Sequence, residues 1–252
     1  MLEDLRERRY DLPPVLNLSG DWMIVGDVHC PLYSFIWIER VVQVGRKMKR
    51  PRQLLIAGDY LDMANFSLYE AITTVPTWAE EKKSGREVLQ VLGEVFERIV
   101  FIEGNHERRL RRFTAAAFDE SDWLGLLTAP PFKSKTDISI TPRGYALIHT
   151  PTGVWRVTHP KSYSANRMAV ANDLALRYNC HIISFHEHHI GITYDRYGRH
   201  VIVNGGCLVD PDLLAYVVMD DKRGGATMIN GFVSLVEGIP TIYGPEPITS
   251  WK

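Results

Sequence analysis

The sequence predicts an α/β fold built on a largely parallel sheet. Short apolar runs at Trp22-Met-Ile-Val, Leu54-Leu-Ile-Ala and Ile99-Val-Phe-Ile are each followed at once by a polar cluster, the pattern of strands buried on both faces. Between them lie helical patterns over roughly 34–48 and 79–97, where Val88, Val91, Leu92, Val95 and Phe96 recur near i, i+3, i+4 spacing. Strands that alternate with helices in this way pair in parallel. In such sheets ligands gather outside the carboxyl ends of the strands, where the three polar clusters sit.

Beyond residue 143 the pattern changes. Segments 144–148 and 155–158 flank Thr150-Pro-Thr-Gly, a hairpin signal, and a helix is predicted from about 165 to 178. Segments 181–185, 190–195, 200–204, 231–236 and 240–243 read as strands, with Tyr197-Gly198 as a turn. No Pro/Gly/Ser-rich tract, charge block or internal repeat marks a linker. Residues 1–252 therefore read as one domain, with 1–18 as a peripheral N-terminal segment.

Composition narrows the class of protein without naming a substrate. The chain has 252 residues, 45% hydrophobic and 23% charged, which is ordinary for a protein with a packed core. A formal net charge of -1 gives no global pull toward nucleic acid or an anionic membrane, so polyanion binding would need a local patch. Cys30, Cys180 and Cys207 are too few and scattered for a disulfide framework, and a reducing compartment is the simpler reading. The N-terminus is charged where a secretory segment is apolar, and no stretch approaches the roughly 18 apolar residues of a membrane span. The expected location is the cytoplasm, with no membrane partner.

The chemistry-bearing residues sit at the ends of the apolar runs. The first ends in Gly26-Asp27-Val28-His29, the second in Gly58-Asp59-Tyr60-Leu61-Asp62, and the third in Gly104-Asn105-His106-Glu107. On an extended backbone Asp27 and His29 would face one side, and so would His186 and His188 in Phe185-His186-Glu187-His188. His159 adds an imidazole at the end of another strand pattern. Carboxylate, amide and imidazole donors together suit borderline divalent metals rather than an all-oxygen calcium site.

These motifs, in this order, resemble the calcineurin-like metallophosphoesterases, whose pattern is DxH, GDxxD, GNH[DE], a His, and GHxH. The resemblance spans roughly residues 22 to 207 and includes Asn204-Gly-Gly-Cys207, where the family often has NPGS. It implies a four-layer αββα sandwich with two mixed β-sheets flanked by helices and an active site at the strand C-terminal ends. It implies that Asp27, His29, Asp59 and His188 hold one metal while Asp59, Asn105, His159 and His186 hold the other. His106 would protonate the leaving oxygen or stabilise charge on the phosphoryl group, with Asp62 orienting it. The cofactor expected is two divalent ions, manganese first, with iron, zinc, nickel or cobalt as alternatives. Two ions ~3.5–4 Å apart clamp phosphoryl oxygens and lower the pKa of a bridging water, which becomes the nucleophile. The sequence departs from the family at Phe185, where glycine usually precedes HxH, at Cys30 after the first histidine, and at Pro160 after His159.

Other residues carry weaker signals. Tyr60 is a pocket-wall candidate. The run Glu107-Arg108-Arg109-Leu110-Arg111-Arg112 reads equally as a solvated basic face or as a source of substrate contacts, with Arg108 and Arg109 the candidates. Segment 113–117 with Trp123 and Phe132 reads as a lid or as packing. His149, His181 and His200 read as structural, and His189 as facing away from the ligand pair, either behind it or exposed, with substrate contact as the alternative. The function expected is metal-dependent hydrolysis of a phosphate ester. A phosphodiester in a nucleotide or nucleic acid is favoured, because the HxH pair resembles the phosphodiesterase and nuclease branch of the family. A phosphomonoesterase and an inactive metal-binding scaffold are the alternatives. The scaffold would lack ligands or His106, and none is lacking here.

Overall fold

In a computed structural model the described residues are 13–67, 75–115, 117–130, 132–214 and 228–245. The strands in chain order are β1 (Asn17–Ser19), β2 (Trp22–Val25), β3 (Gln53–Ala57), β4 (Arg98–Ile102), β5 (Asp137–Thr141), β6 (Tyr145–Thr150), β7 (Gly153–Thr158), β8 (His181–Ser184), β9 (Ile190–Tyr194), β10 (Val201–Gly205), β11 (Phe232–Val236) and β12 (Ile239–Tyr243). The α-helices are α1 (Phe35–Gly45), α2 (Trp78–Gly93), α3 (Glu107–Phe113), α4 (Glu120–Thr128) and α5 (Ala169–Tyr178).

The strands form two six-stranded sheets, ordered β12-β11-β2-β3-β4-β5 and β1-β6-β7-β8-β10-β9. Strand β2 shows why its run is apolar without alternation. Trp22 and Ile24 face a core shared with the second sheet, through Ile148, Trp155, Val157 and Val203. Met23 and Val25 face the opposite core, with Ile38 and Val41 of α1 and Val88, Leu89 and Leu92 of α2. On the far side Ala171 and Ala175 of α5 pack on Ile182 and Ile202 of the second sheet. The layers are therefore helix, sheet, sheet, helix, as the resemblance implies. Among the described residues, no helix is long and apolar enough to cross a membrane.

A largely parallel sheet is only part of the outcome. Strands β2, β3, β4 and β5 pair in parallel, but the hairpin β11–β12 adds to β2 antiparallel. The second sheet also mixes directions, with β6–β7 and β9–β10 antiparallel. The parallel registers position the site. Val25 pairs with Ile56 and Ile56 with Phe101, so the three polar clusters emerge side by side. Thr158 and Asn204 both pair with Ser184, which brings His159 and Phe185 out at neighbouring positions.

Several boundaries differ from the sequence reading. Helix α2 begins at Trp78 because Thr77 caps it: its side chain accepts from Glu80 N–H while Glu80 accepts from Thr77 N–H. Helix α5 begins at Ala169, after Met168 in a left-handed conformation, rather than at about 165. Strands β1 and β5 and helix α4 were not foreseen. Strand β5 is a half-buried edge strand, and α4 is announced only by the Asp119–Asp122 capping box. The expected peripheral segment ends early. Residues 1–12 lie outside the described residues, but Leu18 is buried between the sheets and β1 pairs with β6. Trp123 and Phe132 pack on the core, so they form no lid, while Phe113 is exposed against Phe66.

Phe185 is the wedge of the inter-sheet core. It is 1% exposed, and a Cβ added to Gly26 would stand 2.6 Å from its ring, one added to Gly205 2.3 Å. The two glycines make room for the ring where the family usually has none. Phe185→Ala is expected to destabilise by about 3–5 kcal/mol, as for other buried phenylalanines. Gly205→Ala should be severely destabilising alone yet far milder in the Phe185→Ala background. Denaturant unfolding of the single and double variants tests this, and strictly additive losses would show that the ring is not the obstacle.

Candidate metal centre

The strand ends deliver their side chains by left-handed turns, not by strand alternation. Asp27 (φ 50), His29 (φ 52), Asp59 (φ 50), His186 (φ 81) and His188 (φ 55) all have positive φ. The expectation that Asp27/His29 and His186/His188 share a strand face is thus corrected: none of the four lies on a strand. Each such residue costs of order 1–3 kcal/mol of backbone strain, which persists only where surrounding structure fixes it. Hydrogen bonds across the strand ends do this: Asp27 N–H donates to Gly58 O at 3.1 Å and His29 N–H to Asp59 O at 2.9 Å. Leu208 and Val209 N–H both donate to Asp27 O, at 3.0 and 2.9 Å.

Two groups of donors match the expected ligands, one of Asp27, His29 and His188, the other of Asp59, His159 and His186, and a third set, His29, Asp62 and His106, converges beside them. Each carboxylate spends one oxygen on a backbone N–H and leaves the other facing the cleft. Asp27 Oδ2 accepts from His186 N–H at 2.9 Å, while its Oδ1 lies 3.1 Å from His188 Nε2 and 3.8 Å from His29 Nε2. Asp59 Oδ1 accepts from His106 N–H at 2.9 Å. Its Oδ2 lies 3.2 Å from His159 Nε2, 3.7 Å from His106 Nε2 and 3.9 Å from His29 Nε2. Asn105 Oδ1 joins the second group, 2.9 Å from His159 Nε2. All seven ligands expected from the sequence are brought together, with Asp59 between the groups.

The donor set calls for cations. His159 Nδ1 donates to Ala57 O at 2.8 Å, so the lone pair of Nε2 faces the oxygens of Asn105 and Asp59. Three acceptors meeting this way need a second ring proton or a metal ion between them. In the first group His29 Nδ1 binds Asp62 Oδ1 at 2.9 Å, and its buried Nε2 has no hydrogen-bond partner. Burial alone would depress both imidazoles. Contacts with Asp27 and Asp62 and the charges of Asp62 and Asp59 instead raise His29 to about 10, and Asp59 and Asp27 raise His159 to about 9. His186 goes the other way, to about 4, through burial and the neighbouring charge of His159. Despite burial, the surrounding histidines hold Asp27 and Asp59 well below the usual carboxylate range.

A buried frame holds the ligands. Glu107, given no role by the sequence reading, accepts N–H bonds from Asp59 at 2.9 Å, Tyr60 at 2.8 Å and Gly104 at 2.9 Å. It ties the second cluster to the third, and the only sequence signal for it is its place in Gly104-Asn105-His106-Glu107. Glu187, also missed, accepts from Ser164 N–H at 3.2 Å and Asn204 Nδ2 at 3.0 Å, linking the chain after His159 to the turn of His186 and His188. Asp62, expected to orient His106, binds it through its backbone carbonyl, with its carboxylate 3.4 Å from His106 Nδ1 and committed to His29.

Other candidates fall elsewhere. Tyr60 does not line the centre: it is 2% exposed, packs edge-on to Phe101, donates its hydroxyl to Gly85 O, and borders instead an interior cavity with Phe101, Glu107 and Trp123. Arg108 turns away toward Glu103, and Arg111 is held by Glu103 and Glu120. Only Arg109 of the run reaches the centre. Cys30 is fully buried in the helix-side core with its thiol pushed up by burial, and it joins neither donor group. Pro160 is buried beside His159. His189 is 1% exposed with neither ring nitrogen hydrogen-bonded, so it is not a surface residue. His149 binds Asn17, His181 stacks on Trp155, and His200 binds Asp195, all away from the ligands.

Fold and site together define an αββα protein with a candidate two-metal centre at the strand ends. The model of the calcineurin-like phosphoesterase family (Metallophos) matches residues 22–216, and the chain belongs to that family. Solved structures with similar folds include Vps29 from Chaetomium thermophilum, 11% identical, covering 89% of this chain and 90% of that one with a TM-score of 0.48. Vps29 from Entamoeba histolytica complexed with Zn²⁺ is 12% identical, covering 89% and 98% with a TM-score of 0.39. A conserved protein of Streptococcus pneumoniae TIGR4, described as a predicted phosphoesterase, is 9% identical, covering 90% and 98% with a TM-score of 0.37. A search of curated protein sequences returned no significant match.

The raised imidazoles give the metal-free protein a distinct pH response. Because folded His29 and His159 hold their protons to about 10 and 9, their contribution is fully present below about pH 6.5 and lost as pH rises through those values. The melting temperature in EDTA should therefore fall between about pH 7 and 10, and metal loading should remove most of that fall while releasing protons at pH 7 to 8. Equal slopes with and without metal, or no proton release in calorimetry across buffers, would contradict this.

Proposed function

We propose that the chain is a metal-dependent phosphoesterase that hydrolyses a phosphodiester, in a nucleotide or nucleic acid, with two divalent ions, manganese foremost. The observation that carries this reading is Asp59. One of its oxygens lies within 3.9 Å of His29, His106 and His159, so it would serve both donor groups and face His106, the histidine that the resemblance assigns to the phosphoryl group. Asp27, His29, Asp59 and His188 would hold one ion, and Asp59, Asn105, His159 and His186 the other. When bound, the pair supplies Lewis acidity and an activated water.

The chain's own residues do the rest. Glu107 and the backbone N–H groups of His106 and His186 fix the carboxylates, so the centre is organised before substrate arrives. Asn105, His106 and His186 are half-exposed at the mouth, where a phosphoryl group would enter. The diester is favoured by the pair His186 and His188, which resembles the HxH pair of the phosphodiesterase and nuclease branch, and by Arg109, which faces the site while Arg108 and Arg111 are taken by Glu103.

With Mn²⁺ added, the protein should hydrolyse bis-p-nitrophenyl phosphate faster than p-nitrophenyl phosphate. EDTA or Asp59→Asn should abolish that activity, and its survival under either would end the proposal. His106→Ala should lower kcat by about 10²- to 10³-fold, the usual loss on removing a group that meets developing charge. A kcat for this variant within a few-fold of the parent would exclude His106 from the reaction.

A further inference from the structure

An aromatic surface runs away from the centre on the side of His106. Along α3 the side chains of His106, Arg109 and Phe113 are three and four residues apart, the spacing that puts them on one helix face. At the rise of an α-helix, Phe113 lies about 10 Å beyond His106. Its ring is 73% exposed and packs at 5.2 Å on Phe66, which in turn meets Trp78 edge-on at 5.2 Å. Two cations bracket the three rings. Lys82 Nζ stands 5.3 Å over the Trp78 ring, and toward the centre Arg109 Nη1 donates to Asp62 O at 3.1 Å. Lys83, Arg108 and Arg111 are paired with glutamates, but among the described residues Lys82 and Arg109 have no carboxylate partner.

The surface is fixed before anything covers it. Phe66 ends a short 3₁₀ turn, Ala64–Phe66, that follows Asp62 and the left-handed Met63. Glu81 of α2, fully buried, accepts from Met63 N–H at 2.8 Å, Ala64 N–H at 3.1 Å and Asn65 Nδ2 at 3.4 Å. The turn that carries Phe66 is thus tied to the helix that carries Trp78 and Lys82. Phe66 and Trp78 also rest on the helix-side core, whereas Phe113 turns its ring to solvent.

We propose that this surface binds a single-stranded nucleic acid, with Phe113 stacking a base of the strand whose scissile phosphate lies at the centre, and with Arg109 and Lys82 attracting the backbone at either end. Aromatic rings interleaved with cations bind single strands without sequence preference, because every base has a face to stack and every nucleotide a charge. A duplex keeps its bases stacked on one another and offers none to Phe113. The offset of about 10 Å along α3 puts the shelf beside the groups attached to the phosphorus rather than under the phosphorus itself.

The assignment rests on the reading that the centre takes a phosphodiester, and it is tested by binding alone. A short fluorescein-labelled phosphorothioate oligothymidylate is titrated with the Mn²⁺-loaded protein and followed by anisotropy, beside an abasic strand of the same length. Phe113→Ala should weaken binding of the oligothymidylate by about 5- to 150-fold, the usual loss on removing one stacking ring, and leave the abasic strand unaffected. Phe113→Tyr should bind as the parent does and Phe113→Leu poorly, since the leucine keeps apolar area but no stacking face. Lys82→Gln should lower the slope of log affinity against log salt by about 0.7. Parental affinity in Phe113→Ala, an equal loss on both strands, or a Phe113→Leu protein that binds as well as Phe113→Tyr would overturn the assignment. So would self-association of the parent that Phe113→Ala abolishes, because a second copy would then cover the shelf. An oligothymidylate bound through Phe113 by a protein that cleaves no diester would refute the proposed function and leave the shelf standing. Diester cleavage with oligothymidylate affinity indifferent to residue 113 would do the reverse.

Discussion

Asp59 is asked to do two incompatible things, and the rest of the centre follows from the compromise. Its carboxylate is buried, which disfavours its charge, yet His106, His159 and His29 around it hold it ionised. The structure divides its oxygens. One accepts the N–H of His106, and the other looks onto three imidazoles carried by three different segments. Behind it, Glu107 fills the backbone N–H groups of Asp59, Tyr60 and Gly104 with a second buried carboxylate. Burial and the charge of Asp59 push the Glu107 carboxyl up while those N–H bonds oppose the shift. Two buried acids so close are tolerable only in a cluster that holds compensating protons or ions.

That requirement explains the strained backbone. Strand ends bring Asp27, Asp59 and Asn105 to one edge, but alternation along a strand cannot aim consecutive donors at one point. Left-handed turns at Asp27, His29, Asp59, His186 and His188 do so, and interstrand hydrogen bonds hold them. Phe185 stands where the family usually has glycine before the HxH pair, and the positive φ falls on His186. Phe185 is thereby free to act as a core residue, and the glycines appear opposite its ring, at Gly26 and Gly205. The ring fits against these two glycines, and the donors stay together.

The arginine run after His106 teaches a related lesson about charge. Four arginines in five positions look like a polyanion footprint, but three-dimensional pairing decides what each is for. Glu103 and Glu120 absorb Arg108 and Arg111, Arg112 is exposed, and Arg109 alone turns to the centre. A helix spreads consecutive side chains about 100° apart, so adjacency in sequence is divergence in space.

What the sequence determined by itself is the chemistry and the order of its parts. The apolar runs specified strands buried on both faces, and the polar clusters at their ends named the donors. Local composition carries such information because a buried strand must be apolar and a metal donor must be carboxylate, amide or imidazole. What only tertiary structure decided is direction. The antiparallel edge hairpins, the outward turn of Arg108, the burial of Tyr60 and Cys30, and the anchoring of Asp59 by Glu107 all depend on contacts between segments far apart in the chain. Side-chain aim is set by backbone angles and by which neighbours pack behind, and neither is written in the spacing of a motif.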